Sequence, residues 1–174
     1  MTPIAVLDSS VAIDLHRGGL LDALFKLPAQ YLVPDIMFAD ELEAWFGDSL
    51  LANGLIVEPL TDSEVTAARE FMRRCPSLSV PDAYALALAA RGPHTILAGA
   101  RDIRELGAEV GIEVRGVLHV FDMIEEARLL APASLHSCLT LVTRSRRVRL
   151  PLDEVEARFA RYALAAWPET GSPQ

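Results

Sequence analysis

Short apolar runs rich in β-branched residues recur along the chain and predict five strands. The predicted strands span residues 4–7, 31–33, 55–57, 95–97 and 112–114. Segments with helical periodicity separate them, at residues 36–46, 62–75, 81–91, 101–110 and 117–130. Because strands that alternate with helices form parallel sheets, we predict a three-layer α/β/α sandwich, with a central sheet of about five strands and helices on both faces.

The pattern changes after residue 130. Residues 135–142 are apolar, residues 144–149 are rich in arginine, and residues 153–166 are amphipathic. In the last of these regions Leu152, Val155, Phe159 and Tyr162 recur at helical spacing. We therefore expect a main domain over residues 1–130, a helical extension packed on it over residues 131–167, and a flexible tail over residues 168–174.

Composition excludes several classes of function. The 16 Lys and Arg against 24 Asp and Glu give a net charge of −8, which argues against a basic surface that coats nucleic acid. Lys26 is the only lysine, so lysine-dependent catalysis is not expected. Cys75 and Cys138 match no metal or redox spacing. Without a charged leader or a long apolar run, the sequence predicts a cytoplasmic protein with no membrane contact.

Asp8 ends the first predicted strand in the stretch "AVLDSSVAIDL". In open α/β sheets, ligands bind beyond the carboxyl ends of the strands, which makes Asp8 a candidate site residue. The alternative is structural, because Asp and Ser are good N-caps for a helix that begins near Ser9 or Ser10.

Glu41 is the second candidate, because a regular helix would place it at the edge of an apolar face. Asp40 and Glu43 would lie on the opposite, solvated side. The apolar face consists of Met37, Phe38, Leu42, Trp45 and Phe46. A carboxylate beside a core face needs a partner. An arginine partner, or a side chain that reaches solvent, would be the structural explanation.

Asp82 is the third candidate. Pro81 suits the first helical position, which puts Asp82 in the first turn, where the helix dipole by itself favours an anion. The helix carries no other charge from Ala83 to Ala90 and is predicted to be wholly buried.

Carboxylates that converge repel one another unless a cation holds them, and hard oxygen ligands select Mg²⁺ or Mn²⁺. Such a site suits phosphodiester hydrolysis.

Four motifs, taken in order, resemble a PIN domain, a small metal-dependent ribonuclease fold found in many bacterial toxin and antitoxin pairs. They are "VLDSSVAIDL", "DELEAW", "SVPDAYALALA" and "TILAGARDIRELGAEVGIEVRGVL", and the resemblance covers about residues 3–130. It implies that Asp8, Glu41 and Asp82 bind Mg²⁺ or Mn²⁺, and that the Ser10 hydroxyl orients Asp8 or a water. It also implies cleavage of RNA, a homodimer, and an antitoxin or inhibitor protein as a partner.

The fourth motif departs from the family pattern. PIN domains usually carry Thr or Ser, any residue, then Asp after the fourth strand, whereas this chain has Ala98, Gly99 and Ala100. Asp102 follows two residues later and is a further candidate metal ligand. It lies about 200° further round the helix and also suits a first-turn capping role.

The arginines at the end of the chain are candidates for RNA binding, although they also fit a solvated face or partners for the surplus acids. They are Arg144, Arg146, Arg147 and Arg149. The four histidines share no ligand spacing and enter no predicted site.

Three classes of function remain open. The first is a metal-dependent ribonuclease, and the second is a degenerate PIN domain that binds RNA or protein without cutting. The third is an unrelated nucleotide or phosphotransfer protein. The first strand is followed by no G-x-G-x-x-G and no P-loop lysine, and Ser10 stands where a haloacid dehalogenase needs a second Asp.

Overall fold

A five-stranded parallel sheet forms the centre of the molecule, as predicted, and its strand order is β3-β2-β1-β4-β5. The structure is a computed structural model that describes residues 1–145 and 149–165. The strands are β1 (Ile4–Leu7), β2 (Gln30–Pro34), β3 (Ile56–Glu58), β4 (Thr95–Leu97) and β5 (Glu113–Arg115). Val6 pairs with Leu32 of β2 on one side and with Ile96 of β4 on the other, so β1 is the middle strand.

Helices cover both faces of the sheet, which confirms the predicted α/β/α sandwich. They are α1 (Ser9–Gly18), α2 (Leu21–Lys26), α3 (Asp35–Met37), α4 (Glu43–Ala52), α5 (Asp62–Arg74), α6 (Val80–Ala89), α7 (Arg101–Val110), α8 (Val117–Glu126), α9 (Pro132–Thr143) and α10 (Leu152–Leu164). On one face α6 packs against β1, β2 and β4, and α5 and α7 pack against α6. On the other face α1 packs against α2, α8 and α9.

Helix α6 lies over the central strands because its side chains are small and apolar. Most of its residues from Ala83 onward are buried, but Tyr84 is half-buried and Ala90 is exposed, so the prediction of a wholly buried helix was wrong at those two positions. The helix also starts one residue earlier than predicted. Ser79 is the N-cap, and its Oγ accepts a hydrogen bond from the backbone N of Asp82 at 3.2 Å, which places Pro81 at the second helical position.

The predicted continuous helix over residues 36–46 is instead three segments. A π-helical turn (Phe38–Leu42) separates α3 from α4, and Phe46 has the non-helical backbone angles φ −146° and ψ 24°. A π-helical turn contains an extra residue, which rotates the side chains after it by about 100°. Trp45, predicted to be in the core, is therefore 67% exposed, whereas Phe46 is buried and its ring stacks on His16 with the centroids 4.2 Å apart.

The helices after residue 130 pack onto the sandwich, α9 against α1 and α10 against α9. Arginines of α10 also bind acids of α8: Arg158 Nε donates to Asp122 Oδ1 at 2.9 Å, and Arg161 Nη2 donates to Glu125 Oε2 at 2.6 Å. Leu152, which the spacing grouped with the buried residues of α10, is 69% exposed. The predicted tail over residues 168–174 lies outside the described residues.

The amino-terminal edge of the sheet lies where α2 ends and β2 begins. Gln30 N donates a hydrogen bond to Pro3 O at 2.9 Å, which joins the entry of β2 to the entry of β1. Lys26, the last residue of α2, is exposed close to this edge.

Within residues 1–145 and 149–165, no helix combines the length and the hydropathy that a membrane crossing requires.

Candidate functional site

Asp8 lies at the carboxyl edge of the sheet, directly after β1 and beside β4. Its backbone N donates to Leu97 O at 3.0 Å, so the pairing of the two strands extends to this residue. The chain leaves β1 toward β2, while β4 lies on the other side of β1. This is the point of an open α/β sheet where the strand order reverses and where ligands usually bind.

Asp8 is the N-cap of α1, so the capping role expected from the sequence is confirmed. Its Oδ2 accepts hydrogen bonds from the backbone N of Ser10, at 3.1 Å, and from the Ser10 hydroxyl. The other carboxylate oxygen, Oδ1, is buried without a hydrogen-bond partner. Capping therefore explains one oxygen of Asp8 and leaves the other unused.

Asp8 and Ser9 are 2% and 9% exposed, and apart from two tyrosines no other polar or charged side chain within the described residues is buried to this degree. Burial raises the pKa of Asp8 to about 7. The hydrogen bonds from Ser10 lower this pKa, and the negative charges of Asp82 and Glu41 raise it. The structure thus holds a carboxylate where its negative charge is poorly stabilised by the protein alone.

Glu41 is half-buried on the π-helical turn, and the Ser9 hydroxyl donates a hydrogen bond to its Oε2. Ser9 and Ser10 are the first two residues of α1, and each hydroxyl contacts a different acid. Ser10 contacts Asp8, and its supporting role at a metal site stays a prediction. The contact of Ser9 was missed, because its partner lies 32 residues away and no local pattern signals it.

Asp82 is half-buried in the first turn of α6, as predicted. Since α6 packs against β1, this turn lies close enough for the charge of Asp82 to act on Asp8. The structure therefore brings the three predicted acids into electrostatic contact at one edge of the sheet, from β1, the π-helical turn and α6.

The position of the expected fourth acid lies beside this group. Ala100 is exposed and is the N-cap of α7, without a capping side chain. A Cβ atom added to Gly99 would lie 3.9 Å from Ser10 Oγ, which places this loop next to the start of α1. Asp102 is half-buried in the first turn of α7, and its charge is not among those that shift the pKa of Asp8.

The arginines proposed for RNA binding are only partly described. Arg144 directly follows α9 and Arg149 precedes α10, and both are exposed. Arg146 and Arg147 lie outside the described residues. Of the two described arginines, neither Arg144 nor Arg149 forms a hydrogen bond or ion pair with Asp8, Glu41 or Asp82.

The acids fit a hard divalent cation, although they do not enclose one. Among residues 1–145 and 149–165, no three His, Cys, Asp or Glu side chains lie close enough together to surround a metal ion. The unpartnered Oδ1 of Asp8 and the nearby charges of Glu41 and Asp82 nevertheless provide an all-oxygen environment that attracts cations. Mg²⁺ suits such a site because it keeps several waters and needs only one or two protein carboxylates.

Comparison with known families agrees with the fold. A family model described as a PIN domain matches residues 4–162, a span that reaches into α10. A comparison with curated proteins gives no match. The match covers most of the chain, including all five strands of the sheet and the helices from α1 to α9. The chain therefore belongs to the PIN-domain family.

Proposed function

We propose that this protein is a metal-dependent ribonuclease that hydrolyses phosphodiester bonds with Mg²⁺ or Mn²⁺. The observation that supports this most is the environment of Asp8, a buried carboxylate with one unpartnered oxygen and two further acids acting on it. Without a cation, this arrangement destabilises the fold, since like charges in a poorly solvated place repel one another. With a cation, the same arrangement becomes favourable.

Each acid has a part in the proposed site. Asp8 contributes its unpartnered Oδ1, while the two hydrogen bonds from Ser10 hold the carboxyl group in orientation. Glu41 and Asp82 bind the cation directly or through its waters, and Asp102 is a further candidate on the α7 side. A bound Mg²⁺ or Mn²⁺ would stabilise phosphate charge and lower the pKa of a bound water.

The substrate and partners in this proposal follow from family membership. RNA is the proposed substrate, and Arg144, Arg146, Arg147 and Arg149 are proposed to contact its phosphates. A homodimer, an antitoxin or other inhibitor protein, and a cytoplasmic location complete the proposal. The net charge of −8 requires any phosphate contacts to be local rather than spread over the surface.

A second candidate function is a degenerate PIN domain that binds RNA or protein without cutting. Ala100 favours it, because the family pattern places an acid there. The absence of a closely packed set of three ligands within the described residues favours it as well. The two candidates differ in whether the site takes up a metal ion and in whether RNA is cleaved.

The deciding experiment compares the parent protein with Asp8→Asn and with Asp153→Asn. Asn retains the capping ability of Asp8 but removes the charge. Asp153 is an exposed first-turn acid of α10, far along the chain from the site, and serves as the matched control. Mn²⁺ binding is measured by calorimetry, and cleavage is measured on a labelled single-stranded RNA.

We expect saturable Mn²⁺ binding and cleavage by the parent and by Asp153→Asn, and neither by Asp8→Asn. In chelator at a pH above 7, Asp8→Asn should also unfold at a higher urea concentration than the parent, because it buries no charge. A parent that binds RNA but neither binds Mn²⁺ nor cleaves would support the degenerate domain instead. Equal Mn²⁺ binding by all three proteins would contradict the proposed site.

A further inference from the structure

We propose that Ser9 is a positioning residue, whose hydroxyl holds the Glu41 carboxylate in place beside Asp8. This inference rests on the proposed function and adds a residue that the sequence assigned only to the start of a helix. Ser10, the neighbouring hydroxyl, is already accounted for by its bonds to Asp8. Ser9 has a separate partner and therefore a separate effect.

The contact is specific and buried. Ser9 Oγ donates to Glu41 Oε2 and joins the first residue of α1 to the π-helical turn, 32 residues later. Ser9 is 9% exposed, and apart from two tyrosines Ser9 and Asp8 are the only polar or charged residues of the described chain that are buried to this degree. No second hydrogen bond or ion pair to the Glu41 carboxylate occurs within the described residues. Ser9 is thus the one described side chain that fixes the orientation of Glu41.

The neutrality of this donor matters for a cation site. A carboxylate at the edge of the core needs a partner, and an arginine would supply one while cancelling the negative charge. A hydroxyl orients the carboxylate and leaves its charge available to a metal ion. A serine donor therefore fits a Glu41 carboxylate that binds a metal ion better than it fits one that only stabilises the fold.

The position of Ser9 also couples the two acids. Asp8 caps α1, and Ser9 is the first residue of the same helix, so the backbone of both is fixed by one set of capping hydrogen bonds. The start of α1 therefore fixes Asp8 directly and Glu41 through the Ser9 hydroxyl. Ligands held in this way need less reorganisation when an ion binds.

The test compares the Mn²⁺ affinity of a control variant with that of five proteins: the parent, Ser9→Ala, Ser9→Thr, Glu41→Gln and the double variant Ser9→Ala/Glu41→Gln. Ser134→Ala is the control, because Ser134 is an exposed serine in the first turn of α9. Affinity is measured by the loss of the free Mn²⁺ electron paramagnetic resonance signal. Thermal unfolding in chelator is measured on the same samples and reports stability separately from metal binding.

We expect Ser9→Ala to weaken Mn²⁺ binding by about 10- to 100-fold, the range found when partners of metal ligands are removed. Ser9→Thr keeps a hydroxyl and should restore most of the affinity, and Ser134→Ala should bind as the parent does. Removing Ser9 should have no further effect once Glu41 is already Gln, because the two residues act through one interaction.

A purely structural contact gives a different set of results. Ser9→Ala would then lower the unfolding temperature while the folded protein kept the parent's Mn²⁺ affinity, which overturns the inference and leaves the proposed function standing. If Ser9→Ala does not fold, Ser9→Cys replaces it, since a thiol is a weak donor of similar size; Mn²⁺ affinity equal to that of the parent would overturn the inference in the same way. A parent that binds no Mn²⁺ would overturn both proposals.

Discussion

Asp8 illustrates how one residue serves both the fold and the proposed site. As the N-cap of α1 it is expected to stabilise the helix by about 1 kcal/mol relative to alanine. Burial meanwhile raises its pKa to about 7, so the free protein holds this carboxyl partly protonated near neutral pH. Metal ligation requires the deprotonated form, and so metal binding and proton release at Asp8 are expected to be linked.

Ala100→Asp tests the departure from the family pattern. The added carboxylate would extend from a loop that lies beside Ser10, close to the three acids. If the site binds a cation, the variant should bind Mn²⁺ more tightly and cleave single-stranded RNA faster than the parent. Parallel metal titrations and cleavage assays measure both. A variant that is inert and less stable than an inert parent would show that the added acid meets neither metal nor substrate.

Asp14 gives a prediction about pH that is independent of metal. Burial raises its pKa to about 6, and the nearby Arg17 lowers it. Between about pH 4 and about pH 6 the native state therefore holds a proton that the unfolded state has released. The contribution of Asp14 to the free energy of unfolding is largest at low pH and falls as the pH rises through this range. Urea unfolding across this range should show that Asp14→Asn lacks this fall. Asp22→Asn, at an exposed acid of α2, should retain the parent's slope.

Sequence patterns were sufficient to select Asp8, Glu41 and Asp82 as candidates, because each stands where an acid is unusual. Asp8 interrupts an apolar run, Glu41 borders an apolar face, and Asp82 opens an uncharged helix. The contact between Ser9 and Glu41 was not predictable in the same way. It forms only when α1 and the π-helical turn are brought together by the fold, and nothing in the local sequence of either residue identifies the other as its partner.

At the scale of elements, the π-helical turn has the largest effect on the surface of the molecule. Prediction from periodicity assumes that successive side chains of a helix are rotated by about 100°. A single extra residue in a π-helical turn changes the direction of every side chain that follows it in the helix. In the segment after Phe38 the predicted core was therefore wrong at Trp45, which is exposed, whereas Phe46 is buried as predicted. The strands were easier to predict, because β1 and β4 are short runs rich in apolar and β-branched residues.

Substitutions at Trp45 and Phe46 test this change of register. Trp45→Ser should change the free energy of unfolding by less than about 0.5 kcal/mol, since its side chain is 67% exposed. Phe46→Ala should lose about 3–5 kcal/mol, because it empties a buried position and removes the stacking on His16. Urea unfolding of both variants measures the difference. A similarly large loss for Trp45→Ser would indicate a regular helix through this segment, because such a helix places both residues on the apolar face.

For the whole molecule, the attachment of α10 depends on a compact set of ion pairs with α8. Arg158 has a side chain only 12% exposed and donates to both oxygens of Asp122, and Arg161 adds contacts to Asp122 and Glu125. The family match also extends into this helix. The sequence predicted a packed helix here but not its partners, because pairing across 36 residues depends on tertiary structure.

Arg158→Ala should therefore lower the free energy of unfolding by about 1–3 kcal/mol, between the values typical of exposed and of fully buried ion pairs. Arg73→Ala is the matched control, since Arg73 is 76% exposed and its one ion pair among the described residues is with Glu70, one helical turn away. Its loss should change stability by less than about 0.5 kcal/mol. Both are measured by urea unfolding in high and low salt. Equal effects of the two substitutions would contradict a structural role for the α10 contacts.

The position of Lys26 makes the molecule easy to orient on a surface. It is the only lysine of the sequence, and it is exposed near the amino-terminal edge of the sheet, whereas the acids lie at the carboxyl edge. An amine-reactive support or a fluorophore coupled to this side chain would therefore be attached across the sheet from the proposed site. Molecules tethered through Lys26 would present their acidic edge to the solution, where RNA and metal ions can reach it.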